Sequence, residues 1–284
     1  TIYLDLLGPD EINVSSTTHP TPEMYYNSTL PVFSWDPPRE VGGIKGYSYL
    51  VDPSPLTEPT KVLYTPNSEI TGTFAGEFSG LTDGTWFFHI CASDIYDQWG
   101  NTSHFRFNID TSIPLISEMG PDNTVWYNSG NALAEAVFTD IDSFGLDLES
   151  IKYSYRISGG NSFSSWTNDG MEFEILEKST ENNPVKVRAY VNIPLSEGSD
   201  NTIRWRISDL AGNGPALSEK WSVKVDKSPV TFSMPVPETE EIFLEDMLIC
   251  GITVSDAGGS GVDGKTIEYA VSKYGEDKKY FQNW

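Results

Sequence analysis

Apolar and polar side chains alternate in short runs along most of the chain. Tyr47, Tyr49 and Val51 are separated by Ser48 and Leu50, and Phe105, Phe107 and Ile109 by Arg106 and Asn108. Val185, Val187, Ala189, Val191 and Ile193 keep the same spacing, as do Ile203, Trp205 and Ile207 around Arg204 and Arg206. Trp221, Val223 and Val225 repeat it. A period of two buries one face of a strand and wets the other, as in antiparallel sheets. β-branched and aromatic residues dominate these runs. The gaps carry turn residues: Gly42-Gly43, Asp83-Gly84, Gly159-Gly160-Asn161, Asp169-Gly170 and Gly258-Gly259. No helical stripe is sustained. The best helix candidate runs from Asn131 to Phe138, but an internal repeat aligns it with the β-branched run Met247–Val254 and predicts a strand.

That repeat organises the chain. Asp140, Gly145, Asp147, Ile151 and Tyr153 recur as Asp256, Gly261, Asp263, Ile267 and Tyr269, each 116 residues on. Asp110 recurs as Asp226 at the same distance, and Asp94 as Asp209 at 115. Gly8-Pro9-Asp10 matches Gly120-Pro121-Asp122, and Tyr26-Asn27-Ser28 matches Tyr127-Asn128-Ser129. The expected units are residues 1–113, 114–228 and 229–284. Each full unit of about 115 residues holds roughly six to eight short strands, which predicts an all-β chain of tandem antiparallel β-sandwiches. The third carries only the early strands. It is expected to be either cut from a longer array or completed by strands from elsewhere.

Composition narrows the function. The chain has 284 residues, of which 41 are acidic and 18 basic, for a net charge of −23. Nucleic acid as a partner is disfavoured, because phosphate neutralisation needs clustered Lys and Arg. Anionic lipid is disfavoured for the same reason. Cation binding, a high-salt habitat or plain solubility all remain open. No apolar run approaches the ~20 residues of a membrane span, so no direct membrane insertion is expected from this segment. The first residue is Thr1, and no basic-plus-apolar leader precedes the fold, which suggests a processed or excised piece. Cys91 and Cys250 stand alone in apolar runs and are expected to be small buried hydrophobes.

The stretch Asp83–Asp94 with Trp99-Gly100-Asn101 resembles the late strands of fibronectin type III-like repeats, and Phe33–Asp36 with Gly46–Tyr49 resembles the early ones. Asp256…Gly259-Ser-Gly-Val-Asp263 and Asp209-Leu-Ala-Gly-Asn213 resemble bacterial and archaeal immunoglobulin-like surface repeats. The resemblance implies a secreted or surface-anchored array, extracellular and without an activity of its own. Immunoglobulin domains bridge their sheets with a disulfide. Here Phe33 and Trp35 stand where an early-strand cysteine belongs, so aromatic packing is expected to replace it.

Catalytic patterns are lacking. His19, His89 and His104 have no nucleophile elbow or Cys-His pattern beside them, and no pair has zinc-type spacing. No phosphate loop or dinucleotide fingerprint occurs. Paired carboxylates are numerous, yet they recur in equivalent loops of both repeats, which argues against an active site.

Calcium is the better match. Asp140, Asp142 and Asp147 place three carboxylates around Gly145 on one short loop. Asp142 becomes Gly258 in the next unit. A second candidate set is Asp94, Asp97, Asn101 and Asp110, matched in part by Asp209, Asn213 and Asp226. The competing expectation is that Asp and Asn make turns through their own backbone. Glycosylation sequons occur at Asn13, Asn27 and Asn101. Tyr25, Tyr26, Trp99, Trp126, Tyr127 and Trp166 could stack on sugars, but the equivalence of Tyr26 and Tyr127 points to core or junction packing. The linkers Asp110–Pro114 and Asp226–Pro229 are short and proline-stiffened.

These features predict a structural stalk, envelope-layer or filament subunit whose partners are copies of itself or other envelope proteins. Two rivals are an adhesin that binds glycan or protein and an accessory region of a secreted hydrolase.

Overall fold

The computed structural model describes residues 7–63, 72–75, 80–140, 144–180, 182–237, 250–270 and 281–283. Its regular structure is strand throughout, apart from two single 3-10 turns at Leu148–Ser150 and Gly264–Thr266.

The first group of strands is β1 (Val14–Ser16), β2 (Tyr25–Tyr26), β3 (Val32–Trp35), β4 (Ile44–Asp52), β5 (Gly72–Ala75), β6 (Gly84–Asp94) and β7 (Ser103–Ile109). They form two sheets, β1-β3-β5 and β2-β7-β6-β4. Phe33, Phe88, Ile90, Phe107 and Ile109 are wholly buried in this unit's core. Phe33 stacks on Phe88 with centroids 4.3 Å apart, and meets Phe107 edge-on at 5.2 Å. Burying a Phe side chain contributes about 1.5–3 kcal/mol, and each such ring pair about 0.5–1.5 kcal/mol more. Cys91 is free and buried among these strands, so the rings hold the unit without a covalent staple.

The second group is β8 (Leu115–Gly120), β9 (Trp126–Tyr127), β10 (Asn131–Thr139), β11 (Lys152–Arg156), β12 (Glu172–Lys178), β13 (Pro184–Pro194), β14 (Gly198–Ile207), β15 (Ala216–Leu217) and β16 (Trp221–Val225). One sheet runs β8-β10-β13-β12 and the other β9-β16-β14-β11, with β15 beside β14. This is the two-sheet arrangement of an immunoglobulin-like sandwich. The helix-prone run of β10 is a strand because all nine of its residues pair with β13, from Asn131↔Pro194 to Thr139↔Lys186. Tertiary pairing outweighs the preference of Ala, Leu and Glu for helix. Its alternate alanines, Ala132, Ala134 and Ala136, face a core whose largest wholly buried side chain is Trp205.

The third group is β17 (Thr231–Val236), β18 (Gly251–Ser255), β19 (Glu268–Ala270) and β20 (Phe281–Asn283), paired as β17-β18 and β19-β20. Among the described residues nothing covers β17, where Phe232 is 60% exposed. Cys250, expected inside, is exposed, and among the described residues no second sheet packs over it.

Two short parallel pairings set up the ends of the units. β2 lies beside β7 with Tyr26 opposite Ile109, and β9 lies beside β16 with Tyr127 opposite Val225. Asp110 N–H donates to Tyr26 O at 3.1 Å, and Asp226 N–H to Tyr127 O at 2.9 Å. The repeat seen in the sequence is therefore a repeat in space. No helix among the described residues is long and apolar enough to cross a membrane.

Candidate cation site at the joint between the first two sandwiches

Asp110 follows the last residue of β7 and reaches into the next sandwich. Its Oδ1 accepts from Ser112 N–H at 3.1 Å, and its Oδ2 accepts from Phe144 N–H at 3.1 Å. Its own carbonyl accepts from Asn213 Nδ2 at 2.8 Å. Asn213 also binds Asp209, donating from N to Oδ1 and from Nδ2 to Oδ2, both at 2.7 Å. Asp140 closes the group from the end of β10. Asp110, Asp140 and Asp209 each offer a carboxylate oxygen within 4.8 Å of the other two. They are 1%, 3% and 3% exposed. Two flanking contacts complete the joint: Tyr25 stacks on Phe144 at 5.1 Å, and Asn27 Nδ2 donates to Gly212 O at 3.2 Å.

Three carboxylates this close and this dry repel one another, and burial penalises each charge. Burial raises the Asp110 pKa above the usual carboxylate range, and the Asp209 charge adds to the rise. A cation or a proton relieves both penalties. The donors are all hard oxygens, which fits calcium better than a thiophilic or imidazole-seeking metal.

The second joint repeats the plan. Asp226 Oδ1 accepts from Ser228 N–H at 3.0 Å and Oδ2 from Ser260 N–H at 2.9 Å. Ser228 and Ser260 lie 116 residues beyond Ser112 and Phe144. Here the hydrogen bonds from Ser260 hold the Asp226 carboxyl below its usual range. Trp126, one residue before Tyr127 as Tyr25 precedes Tyr26, packs its ring edge near Gly259. Gly258, the counterpart of Asp142, has no room for a side chain: a Cβ there would lie 1.6 Å from Asp226 Oδ1.

The residues singled out in the sequence are thus regrouped. Asp110, Asp140, Asp209 and Asn213 come together, drawn from both expected sets. Asp142 lies outside the described residues. Asp147 instead caps the Leu148–Ser150 turn by accepting from Glu149 N–H at 3.1 Å, and Asp263 caps the equivalent turn from Lys265 N–H at 3.0 Å. Asp94 sits at the far end of β6 from Gly84, the residue paired with Ile109, so Asp94 and Asp110 occupy opposite ends of the first sandwich. Asp94 folds its own loop, accepting from Tyr96 N–H at 2.9 Å and Gln98 N–H at 2.7 Å. Asp97 is exposed and paired with Lys45, and Asn101 is exposed. Alternating strands carry no information about which end meets which neighbour, and that is why the sequence sets were drawn differently.

Asn13 and Asn101 present their side chains to solvent, while Asn27 is engaged at the joint. Tyr25, Tyr26, Trp99, Trp126, Tyr127 and Trp166 are all half-buried. His19 is buried, with Nδ1 on Thr18 Oγ1 at 2.9 Å and Nε2 on Ser28 O at 3.1 Å, and burial lowers its pKa. Two features had no sequence signal. Across β6 and β7, His89 and His104 face each other, although their spacing along the chain carries no ligand pattern. On the outer face of β14, Arg204 lies 4.1 Å over Phe163 and 4.6 Å over Trp166, and Arg206 lies 4.9 Å over Trp166.

No family model and no curated protein sequence matches the chain. Solved structures similar to it include the fibronectin(III)-like modules of Clostridium thermocellum CbhA, at 12% identity and TM-score 0.29, covering 75% of this chain and 93% of that one. Another is the FN1-FN3 domains of chicken CNTN1, at 12% identity and TM-score 0.32, covering 76% and 65%. A third is the human Desmocollin-1 ectodomain, at 14% and 0.25, covering 73% and 35%. The fold assignment rests on the strand pairing itself.

Proposed function

We propose that the chain is a segment of an extracellular structural array, a stalk or envelope-layer subunit built from units at residues 1–113, 114–228 and 229–284, without catalysis. The observation that carries this reading is the repeated joint. Asp110 and Asp226 each end a last strand and each accept a backbone N–H from a loop of the following unit, 116 residues apart. Loosely tethered beads need no such bond. Calcium at Asp110, Asp140 and Asp209 would neutralise the cluster and stiffen the joint further.

Small-angle scattering of the chain in calcium and in chelator tests the reading. A rod-like profile that sharpens with calcium supports it. A profile of freely hinged beads in both buffers overturns it. One observation favours a second reading, a glycan- or protein-binding module. Arg204, Phe163, Trp166 and Arg206 form a cation–aromatic stack on the outer face of the second sandwich, next to a hollow of about 350 Å³ lined by Tyr155, Arg156 and Phe163. Loss of ligand capture in Arg204→Ala would be its signature.

A further inference from the structure

The outer face of the β4–β6–β7 sheet brings together three groups that the joint does not use. His89 and His104 are register partners on β6 and β7. Their Nδ1 atoms are 2.6 Å apart, with ring centroids at 4.9 Å and planes at 74°. Behind His89, its Nε2 lies 3.2 Å from Asp52 Oδ1 at the end of β4. His89 is wholly buried, and His104 is exposed.

The hydrogen bonds fix the tautomers. Asp52 Oδ1 also accepts from Ser54 N–H at 2.8 Å. An ionised carboxylate only accepts, so His89 carries its proton on Nε2. Its Nδ1 is then a lone pair, and His104 must supply the proton between the two Nδ1 atoms. Two imidazole nitrogens converge on one point, one of them oriented from behind by a carboxylate. This is the carboxylate–histidine–metal arrangement, with a proton standing where the ion goes.

We propose that His89 and His104 form a two-histidine site for a borderline divalent metal ion of the zinc, nickel or copper(II) class, with Asp52 as the positioning residue. On binding, the bridging proton moves from His104 Nδ1 to its Nε2, and both Nδ1 atoms donate to the ion. Imidazole suits these metals and disfavours calcium. Exposure of His104 provides the entry path and leaves the remaining coordination positions to water. Cys91 lies two residues along the same strand, but burial pushes its thiol up to about 11, so it supplies no thiolate. The charges of Glu58 and Lys61, from the segment after β4, act on Cys91. Glu58 is engaged by Thr102 Oγ1 at 2.6 Å.

The test is calorimetric titration of the whole chain with zinc in excess calcium, which keeps the oxygen cluster occupied. The expected result is one zinc per chain. Uptake should vanish in His104→Ala, an exposed position that leaves the core intact, and persist in Asp110→Ala. Asp52→Asn should weaken it by roughly 10–100-fold, as removal of a supporting carboxylate does. The copper(II) form should show two nitrogen donors by electron paramagnetic resonance. No uptake by the unaltered chain, unchanged uptake in His104→Ala, or loss in Asp110→Ala overturns the proposal.

Discussion

Asp110 is the residue on which most of the joint's chemistry turns. Its folded pKa lies above its unfolded value, because burial and the Asp209 charge disfavour the anion. In metal-free buffer this group therefore costs stability at neutral pH. The cost is relieved as pH falls through the raised value towards the ordinary carboxylate range near about 3.9. In calcium the sign reverses, since protons compete with the ion. The melting temperature of the unaltered chain, measured relative to Asp110→Ala, should thus rise as pH is lowered from 7 towards the ordinary carboxylate range without metal, and fall over the same interval with calcium. Differential scanning fluorimetry in the two buffers reads both slopes, and parallel slopes would count against a cation at this cluster. Gly258 makes the complementary case. A methyl group there meets Asp226 Oδ1, so Gly258→Ala should expel the carboxylate and break its bond from Ser260. Backbone and packing shifts of this kind cost roughly 1–3 kcal/mol. The visible consequence should be faster proteolytic cleavage of the Asp226–Pro229 linker, while Gly251→Ala, with open space around it, leaves the rate unchanged.

Among the elements, β14 supplies the largest wholly buried side chain of the second sandwich, Trp205. Ile203, Trp205 and Ile207 are wholly buried on one face, and Arg204 and Arg206 stack on aromatics on the other. Trp205→Ala should cost about 3–5 kcal/mol, the range for emptying an aromatic site. Trp205→Phe should cost much less. The indole Nε1 is buried without a hydrogen-bond partner, so removing it sacrifices volume but no bond. Chemical denaturation of the two variants separates these terms. β14 also illustrates what could be read in advance. Its alternation is local, and local alternation named β7, β13, β14 and β16 correctly. The internal repeat likewise matched Tyr26 with Tyr127, and Asp110 with Asp226 at 116 residues. What remained hidden is non-local. Register decides that His89 opposes His104, and the meeting of two sandwiches decides that Asp110 joins Asp209 rather than Asp94. Neither follows from the order of residues along one strand.

At the scale of the whole chain, the question is whether the units behave as one body. The first joint combines two hydrogen bonds to Asp110 from the following sandwich, a Tyr25–Phe144 stack and the Asn27–Gly212 contact. Each contact is worth on the order of 0.5–1.5 kcal/mol. Together they are enough to couple the unfolding of neighbours that would otherwise melt separately. The first two sandwiches should therefore unfold in a single calorimetric transition in calcium. Asp110→Ala removes the acceptor for Phe144 N–H and one of the three charges that the ion needs. It touches neither the Phe33 cluster nor the Trp205 core. The transition should consequently split in two, and the upper component should keep the midpoint of the unaltered chain to within a few degrees. If Asp110→Ala instead lowers one undivided transition, the residue stabilises a sandwich rather than a joint, and the rod loses its stiffening element. If the unaltered chain already melts in two steps with calcium present, the contacts across the joint are too weak to transmit load, and the extended reading fails with them.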